Sequence, residues 1–225
     1  MPGVTLQGIG ANFACLNGRA PTAPQMATLS ELANEIEREG GPSLKIVSGG
    51  GSANLPWAFG GHATGRVNDL RLGEAILLGV EPLSGDRIGG MHTDAFTLVA
   101  EVIETGAKPA PFPIALIDPT TERLLIKSAG GAPALMILAL GHQDTDILGL
   151  SLPAGNVLIG ATSDHFVVGT NLSPQPVGSE MKIQMNYNAL MLAMSAPDIE
   201  VSLLDKLPSG PSECSKPELG HLAPA

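Results

Sequence analysis

Apolar residues recur with two different rhythms along this chain, and the change of rhythm divides it. Over residues 22–40 they follow a helical period. Met26, Leu29, Leu32, Ala33 and Ile36 fall on one face, Thr22 and Gln25 have the spacing of a capping box, and Gly40 supplies a stop. The flanking segments read as short strands. Residues 4–9 are apolar at alternate positions and run into Ala11-Asn12-Phe13-Ala14; residues 44–47 form a short buried run and residues 67–72 another. Strands alternating with helices predict a parallel α/β segment over residues 1–86.

From about residue 87 the spacing tightens. Residues 96–104, 115–117, 124–127, 135–140, 157–159 and 166–168 are short β-rich runs separated by Gly, Pro, Asp and Asn. That spacing predicts an antiparallel β domain over residues 87–205, with a helical turn at 189–194 and a last strand at 199–204. Residues 206–225 are rich in Pro and Ser without periodicity and are expected to be a disordered tail.

Composition narrows the function classes. The chain has 225 residues and a formal charge of −10, with no basic stripe, which argues against a nucleic-acid partner. Aromatic residues make only 3% of it, so the core must be built from Leu, Ile, Val, Ala and Met. Cys15 and Cys214 lie far apart, without the spacing of a zinc site or a disulfide framework. The longest apolar runs, such as residues 132–140, are too short to span a bilayer, and MPGVTLQGIG does not read as a signal peptide. A reducing cytoplasm is the expected compartment. No HExxH, GxSxG, Walker or GxGxxG pattern is present.

The segments that carry chemistry are VSGGGSANLPW (residues 47–57) and NDLRLGEAILLG (residues 68–79). Each reads as a strand entering a Gly- or Ser-bearing turn and then a helix start, which presents backbone N–H groups to an anion. Ser52 can donate to a phosphate oxygen or act as a helix N-cap. Arg71, followed by Leu72, Gly73 and Glu74, is either a ligand-facing cation or half of an ion pair with Asp69 or Glu74.

These two segments resemble the second half of the pyridoxal-phosphate racemases of the alanine racemase fold, nearest to their ornithine and broad amino-acid branch. The resemblance implies an α/β plus all-β protein, a partial (β/α) barrel segment followed by an antiparallel β domain. It implies pyridoxal 5'-phosphate as cofactor, its phosphate held by Ser52 and by the backbone at Gly73 and Glu74, with Arg71 at the pyridine nitrogen. Asn12 falls beside the cofactor ring, and Tyr187, in MNYNAL, matches a segment near the phosphate. Where the family often has asparagine, this chain has Gly51.

The same resemblance places Gly141-His142-Gln143-Asp144 at a catalytic loop and Thr162-Ser163-Asp164-His165 at the substrate carboxylate. His142 departs from the residues usual in the family. Read without the resemblance, these are polar turns, and Tyr187 packs the domain. His92 and Asp94 are an exposed turn or the start of the β domain.

The match begins in the middle of the family's barrel, so about three of eight strand units are expected. The family's cofactor lysine lies outside it. Lys45, Lys108, Lys127, Lys182, Lys206 and Lys216 stand in other contexts, and covalent attachment is not expected. Open barrel edges imply a homodimer or higher homo-oligomer. The first reading is therefore a truncated or derived amino acid racemase (an isomerase) acting on a small amino acid. The alternative is a hydrolase of small esters or amides using Ser52 or Ser163 with His142 or His165 and Asp144 or Asp164, or an inactive ligand-binding remnant.

Overall fold

The computed structural model describes residues 3–14, 18–106, 113–117, 124–128 and 134–204, the segments 113–117 and 124–128 by their backbone alone. The expected tail, both cysteines and Lys108, Lys206 and Lys216 lie outside these residues. The described chain forms two compact units, one up to Thr93 and one from Asp94.

The first unit is a parallel α/β segment. Strand β1 (Gly8–Gly10) leads to helix α1 (Ala23–Arg38) and strand β2 (Ile46–Ser48), and β1 pairs with β2 in parallel, Ile9 opposite Val47. The capping box forms as expected, with the Thr22 N–H donating to Gln25 Oε1 at 2.8 Å. The buried face of α1 is Met26, Leu29, Ser30 and Ala33, whereas Leu32 is exposed. At about 100° per residue Leu32 lies some 120° from Met26, off the stripe that Ser30 shares.

The expected first strand is shorter than its alternation suggests, because only residues 8–10 have a partner; Val4 and Leu6 are exposed. The third expected strand reduces to a single parallel bridge between Ser48 and Asp69. Asn68 gives the reason. Its Oδ1 accepts from the Val47 N–H at 3.0 Å and its Nδ2 donates to the Lys45 carbonyl at 2.9 Å, so a side chain takes ladder positions that a longer strand would fill. After β2 come a 3-10 turn (Ser52–Asn54) and helix α2 (Leu55–Phe59); after the bridge comes helix α3 (Glu74–Leu78). Met26, Leu29, Ala33, Leu44, Val47, Trp57 and Val67 form the core. Arg66 ties α1 to the loop before β2, meeting Glu37 at 2.7 Å, the Leu44 carbonyl at 3.0 Å and Asn34 at 3.1 Å.

The second unit is antiparallel β. Its strands are β3 (Leu98–Gly106), β4 (Pro113–Ile117), β5 (Leu124–Ser128), β6 (Ala134–Leu138), β7 (Leu150–Ser151), β8 (Asn156–Ala161), β9 (Phe166–Thr170) and β10 (Glu180–Met185). Six of them form one sheet in the order β7-β10-β3-β6-β9-β8, and β4 and β5 form a separate pair. Alternation sets the buried face: Leu98, Ala100 and Val102 on β3, Met136 and Leu138 on β6, Phe166 and Val168 on β9, Met181 and Ile183 on β10. Helix α4 (Tyr187–Ala193) follows β10, its first turn capped by Asn186 Oδ1, which accepts from the Ala189 N–H at 2.9 Å. The strand expected at 199–204 does not form. Ile199 packs against the core, while Val201, Leu203 and Leu204 are exposed and pair with no strand.

Candidate functional site

In the first unit the site is built around the end of β2. Gly49, Gly50 and Gly51 follow Ser48, and Gly50 has φ +109°, a backbone setting that a side chain rarely adopts. Asn54, fully buried, donates through Nδ2 to the Gly49 carbonyl and so fixes the glycine turn from beneath.

Ser52 opens the 3-10 turn and is buried. Its Oγ accepts from the backbone N–H of Gly73 at 3.3 Å and of Ala75 at 3.2 Å. The two turns are thereby brought together. Ser52 is not the N-cap of the helical segment that it begins, where Gly51 has that place; its Oγ instead receives first-turn amides of α3, whose own cap position, Gly73, has no side chain to offer. With two N–H groups on its oxygen, the Ser52 hydroxyl is left as a donor.

Arg71 is held at both ends. Its backbone N–H donates to the Gly50 carbonyl at 2.8 Å. Its guanidinium donates to Asn12 Oδ1, to the Ala11 carbonyl at 3.1 Å and to Ser48 Oγ. Gly10 leaves room for it, since a Cβ there would lie 3.1 Å from Nη1. No ion pair joins Arg71 to Asp69 or Glu74 among the described residues, so the expected alternative is not what the chain does. Neutral acceptors keep its positive charge uncompensated. Ser48 was not foreseen in this role, although a serine at the buried end of an aliphatic strand is a signal for it.

Glu74, at the first position of α3, is partly buried. Burial first, and the nearby Glu81 charge second, raise its proton affinity above the usual carboxylate range.

In the second unit two loops meet. The His142 N–H donates to the Thr162 carbonyl at 3.0 Å and the Gln143 N–H to the Ser163 carbonyl at 3.1 Å. Gly141 is dictated by this contact, because a Cβ there would lie 2.0 Å from the Ser163 carbonyl oxygen. Asp144 is buried and its Oδ2 accepts from the Gly141 N–H at 2.7 Å, closing the loop. The turn from β8 to β9 is fixed by Thr162, whose Oγ1 accepts from the His165 N–H at 3.0 Å. Ser163 Oγ donates to Asp164 Oδ2 at 2.5 Å. The structure thus assembles His142, Asp144, Ser163, Asp164 and His165 into one loop pair. Among the described residues no hydrogen bond joins the His142 or His165 ring to the Ser163 hydroxyl, which donates to Asp164 instead, so a hydrolytic triad is not formed there. Tyr187 is half-buried at the start of α4, in the same unit. His92 falls in the first unit and Asp94 opens the second.

Among the described residues no three His, Cys, Asp or Glu side chains converge as metal ligands, and no helix is long and apolar enough to cross a membrane.

No protein-family profile matches the chain. It is 33% identical over 206 residues to the ornithine racemase of Acetoanaerobium sticklandii, covering 89% of this chain and 58% of that protein. It is 33% identical over 201 residues to the lysine racemase of Thermotoga maritima, covering 88% of this chain and 56% of that protein. The chain therefore spans little more than half the length of these relatives. Its fold is similar to that of the biosynthetic alanine racemase of Pseudomonas aeruginosa, with a TM-score of 0.51 and 16% identity over 87% of this chain and 53% of that one. The chain is a homologue of the ornithine and lysine racemases and carries part of the alanine racemase fold.

Proposed function

We propose that this chain supplies the cofactor seat and a substrate-facing loop pair of a pyridoxal-phosphate-dependent amino acid racemase. The observation that carries the reading is the Ser52 hydroxyl, which joins the two turns and keeps its proton for a ligand. A phosphate fits a buried hydroxyl donor beside a glycine turn without side chains, the Gly73 and Ala75 amides being engaged by Ser52. Arg71, oriented by Asn12, Ala11 and Ser48, fits an unprotonated pyridine nitrogen, against which a full cation is stable.

Bound pyridoxal phosphate supplies an electron sink for charge that develops at a substrate α-carbon. The chain's own residues do the rest. Arg71 leaves the ring nitrogen without a proton and so moderates that sink. His142 and His165 carry the imidazole rings that can take or return a proton at the α-carbon. Ser163 and Asp164 are assigned to the substrate carboxylate by family resemblance, and Asp144 holds the shape of the His142 loop through Gly141. Tyr187 is assigned to the phosphate by family resemblance. The loop pair acts within one copy or from a neighbouring copy of a homodimer.

Ornithine and lysine are the first substrates to test, since the two relatives are named for them, and a chain of charge −10 attracts diamino acids. The test is deuterium uptake at the α-carbon of either amino acid in heavy water. Uptake that requires pyridoxal phosphate and is lost in Arg71→Ala supports the reading. No uptake, together with cleavage of a chromogenic ester in the absence of the cofactor, contradicts it.

A further inference from the structure

In the glycine turn after β2 the carbonyls are employed and the amides are open. Asn54 Nδ2 donates to the Gly49 carbonyl, the Arg71 N–H to the Gly50 carbonyl at 2.8 Å and the Asn54 N–H to the Gly51 carbonyl at 3.0 Å. In a trans peptide the N–H points opposite to the carbonyl that precedes it. Each pinned carbonyl therefore turns the next amide, of Gly50, Gly51 and Ser52 in order, away from the group that pins it. Among the described residues these three amides have no acceptor. Gly50 and Ser52 are buried and Gly51 is half-buried, and buried N–H groups are costly to leave unpaired.

Gly50 and Gly51 are glycines for different reasons. The fold requires Gly50, whose φ is +109° and where a Cβ would lie 3.0 Å from Asn54 Oδ1 and 3.3 Å from the Phe13 ring. The fold does not require Gly51. Its φ of −107° and ψ of −155° are extended backbone that any residue adopts, and a Cβ there would meet only the Arg71 carbonyl, at 3.3 Å. A glycine without a conformational need loses backbone entropy on folding to no structural end. Close approach of a ligand to the main chain is the use that is left for it.

We propose that Gly51 is the specificity-determining residue of the phosphate seat. Its missing side chain lets a phosphate monoester reach the amides of Gly50, Gly51 and Ser52, and a side chain at this position keeps the phosphate out while leaving the fold intact. The inference rests on the seat proposed above and adds main-chain donors to the Ser52 hydroxyl. Those donors matter because the amides of Gly73 and Ala75 are already taken by Ser52 Oγ. Successive main-chain N–H groups form an anion-binding concavity, and here each is held in place by the bond that its neighbouring carbonyl accepts.

The test compares Gly51→Ala and Gly50→Ala with the wild type, by thermal unfolding and by titration with pyridoxal 5'-phosphate and with pyridoxal. Gly51→Ala should unfold within about 3 °C of the wild type, and Gly50→Ala well below it. Gly51→Ala should bind pyridoxal 5'-phosphate about tenfold or more weakly than the wild type does, with its affinity for pyridoxal unchanged. A second measurement needs no variant. Hydrogen exchange of the wild-type amides, followed by NMR, should slow at Gly50, Gly51 and Ser52 when inorganic phosphate is added. A Gly51→Ala chain that unfolds as early as Gly50→Ala shows that the fold needs this glycine and overturns the inference. So does one that binds pyridoxal 5'-phosphate as the wild type does, or one that loses both ligands equally. Phosphate binding that leaves the three amides exchanging as before overturns it as well, since the phosphate is then held elsewhere. A wild type that binds neither pyridoxal 5'-phosphate nor inorganic phosphate defeats the seat itself, and the inference with it.

Discussion

Ser52 Oγ and the backbone N–H of Ala75 stand 3.2 Å apart across 23 positions of sequence. One hydroxyl thereby holds the start of a helix of only five residues. A short helix contributes little from its own propensity and depends on such contacts. Ser52→Ala should cost about 1 kcal/mol of stability in the first unit, the scale of a lost cap, measured by denaturant titration. Ser52→Thr, which keeps the hydroxyl, should recover most of it.

Gly141→Ala should destabilise the second unit by about 3 kcal/mol, because the added methyl group meets backbone rather than a side chain that can move. Gly160→Ala is the control. A Cβ there meets nothing within 4 Å, and its effect should stay within about 1 kcal/mol. Thermal unfolding of the two variants side by side checks the contrast.

The acid limb of stability should carry the signature of Glu37. Its carboxyl accepts from Arg66 and from the Leu44 N–H, which holds its proton affinity below the ordinary 4.5, the Arg66 hydrogen bond being the larger cause. A lowered value in the folded state means stability that is present above 4.5 and is lost as pH falls through the folded value. Glu37→Gln should therefore flatten the acid limb, read as unfolding temperature against pH.

Incubation with pyridoxal phosphate, borohydride reduction and peptide mapping should give scattered, substoichiometric labelling over several lysines. Lys45 precedes β2 and is exposed, and Lys182 lies on the outer face of β10. Stoichiometric labelling at one lysine would show instead that this chain provides its own covalent anchor.

Much of this was legible in the sequence where a pattern had one physical meaning. The capping box at Thr22 and Gln25 and the alternation of β3 left little choice. So did the two turns around Ser52 and Gly73, because glycine and serine at a strand-to-helix junction serve few other ends. The failures are equally physical. A strand exists only where a partner reads it, so the alternation at Val4 and Leu6 was not enough, and the side chain of Asn68 ended a ladder that its neighbours would have extended. Strand β10 was missed because Lys182 and Gln184 on its outer face masked the buried Met181 and Ile183. The hold of Ser48 on Arg71 and the burial of Asp144 are relations between distant segments, which no local window contains.

The central claim is that the Ser52 and Gly73 turns hold a phosphate. Equilibrium titration with pyridoxal 5'-phosphate and with pyridoxal, against the wild-type chain and Ser52→Ala, tests it most directly. The account predicts that the phosphorylated ligand binds more tightly than pyridoxal. Ser52→Ala should lose about tenfold to a hundredfold for the phosphorylated ligand alone, the scale of a hydrogen bond to a charged group. Equal affinity for the two ligands, or a Ser52→Ala variant that binds pyridoxal phosphate as the wild type does, would contradict it.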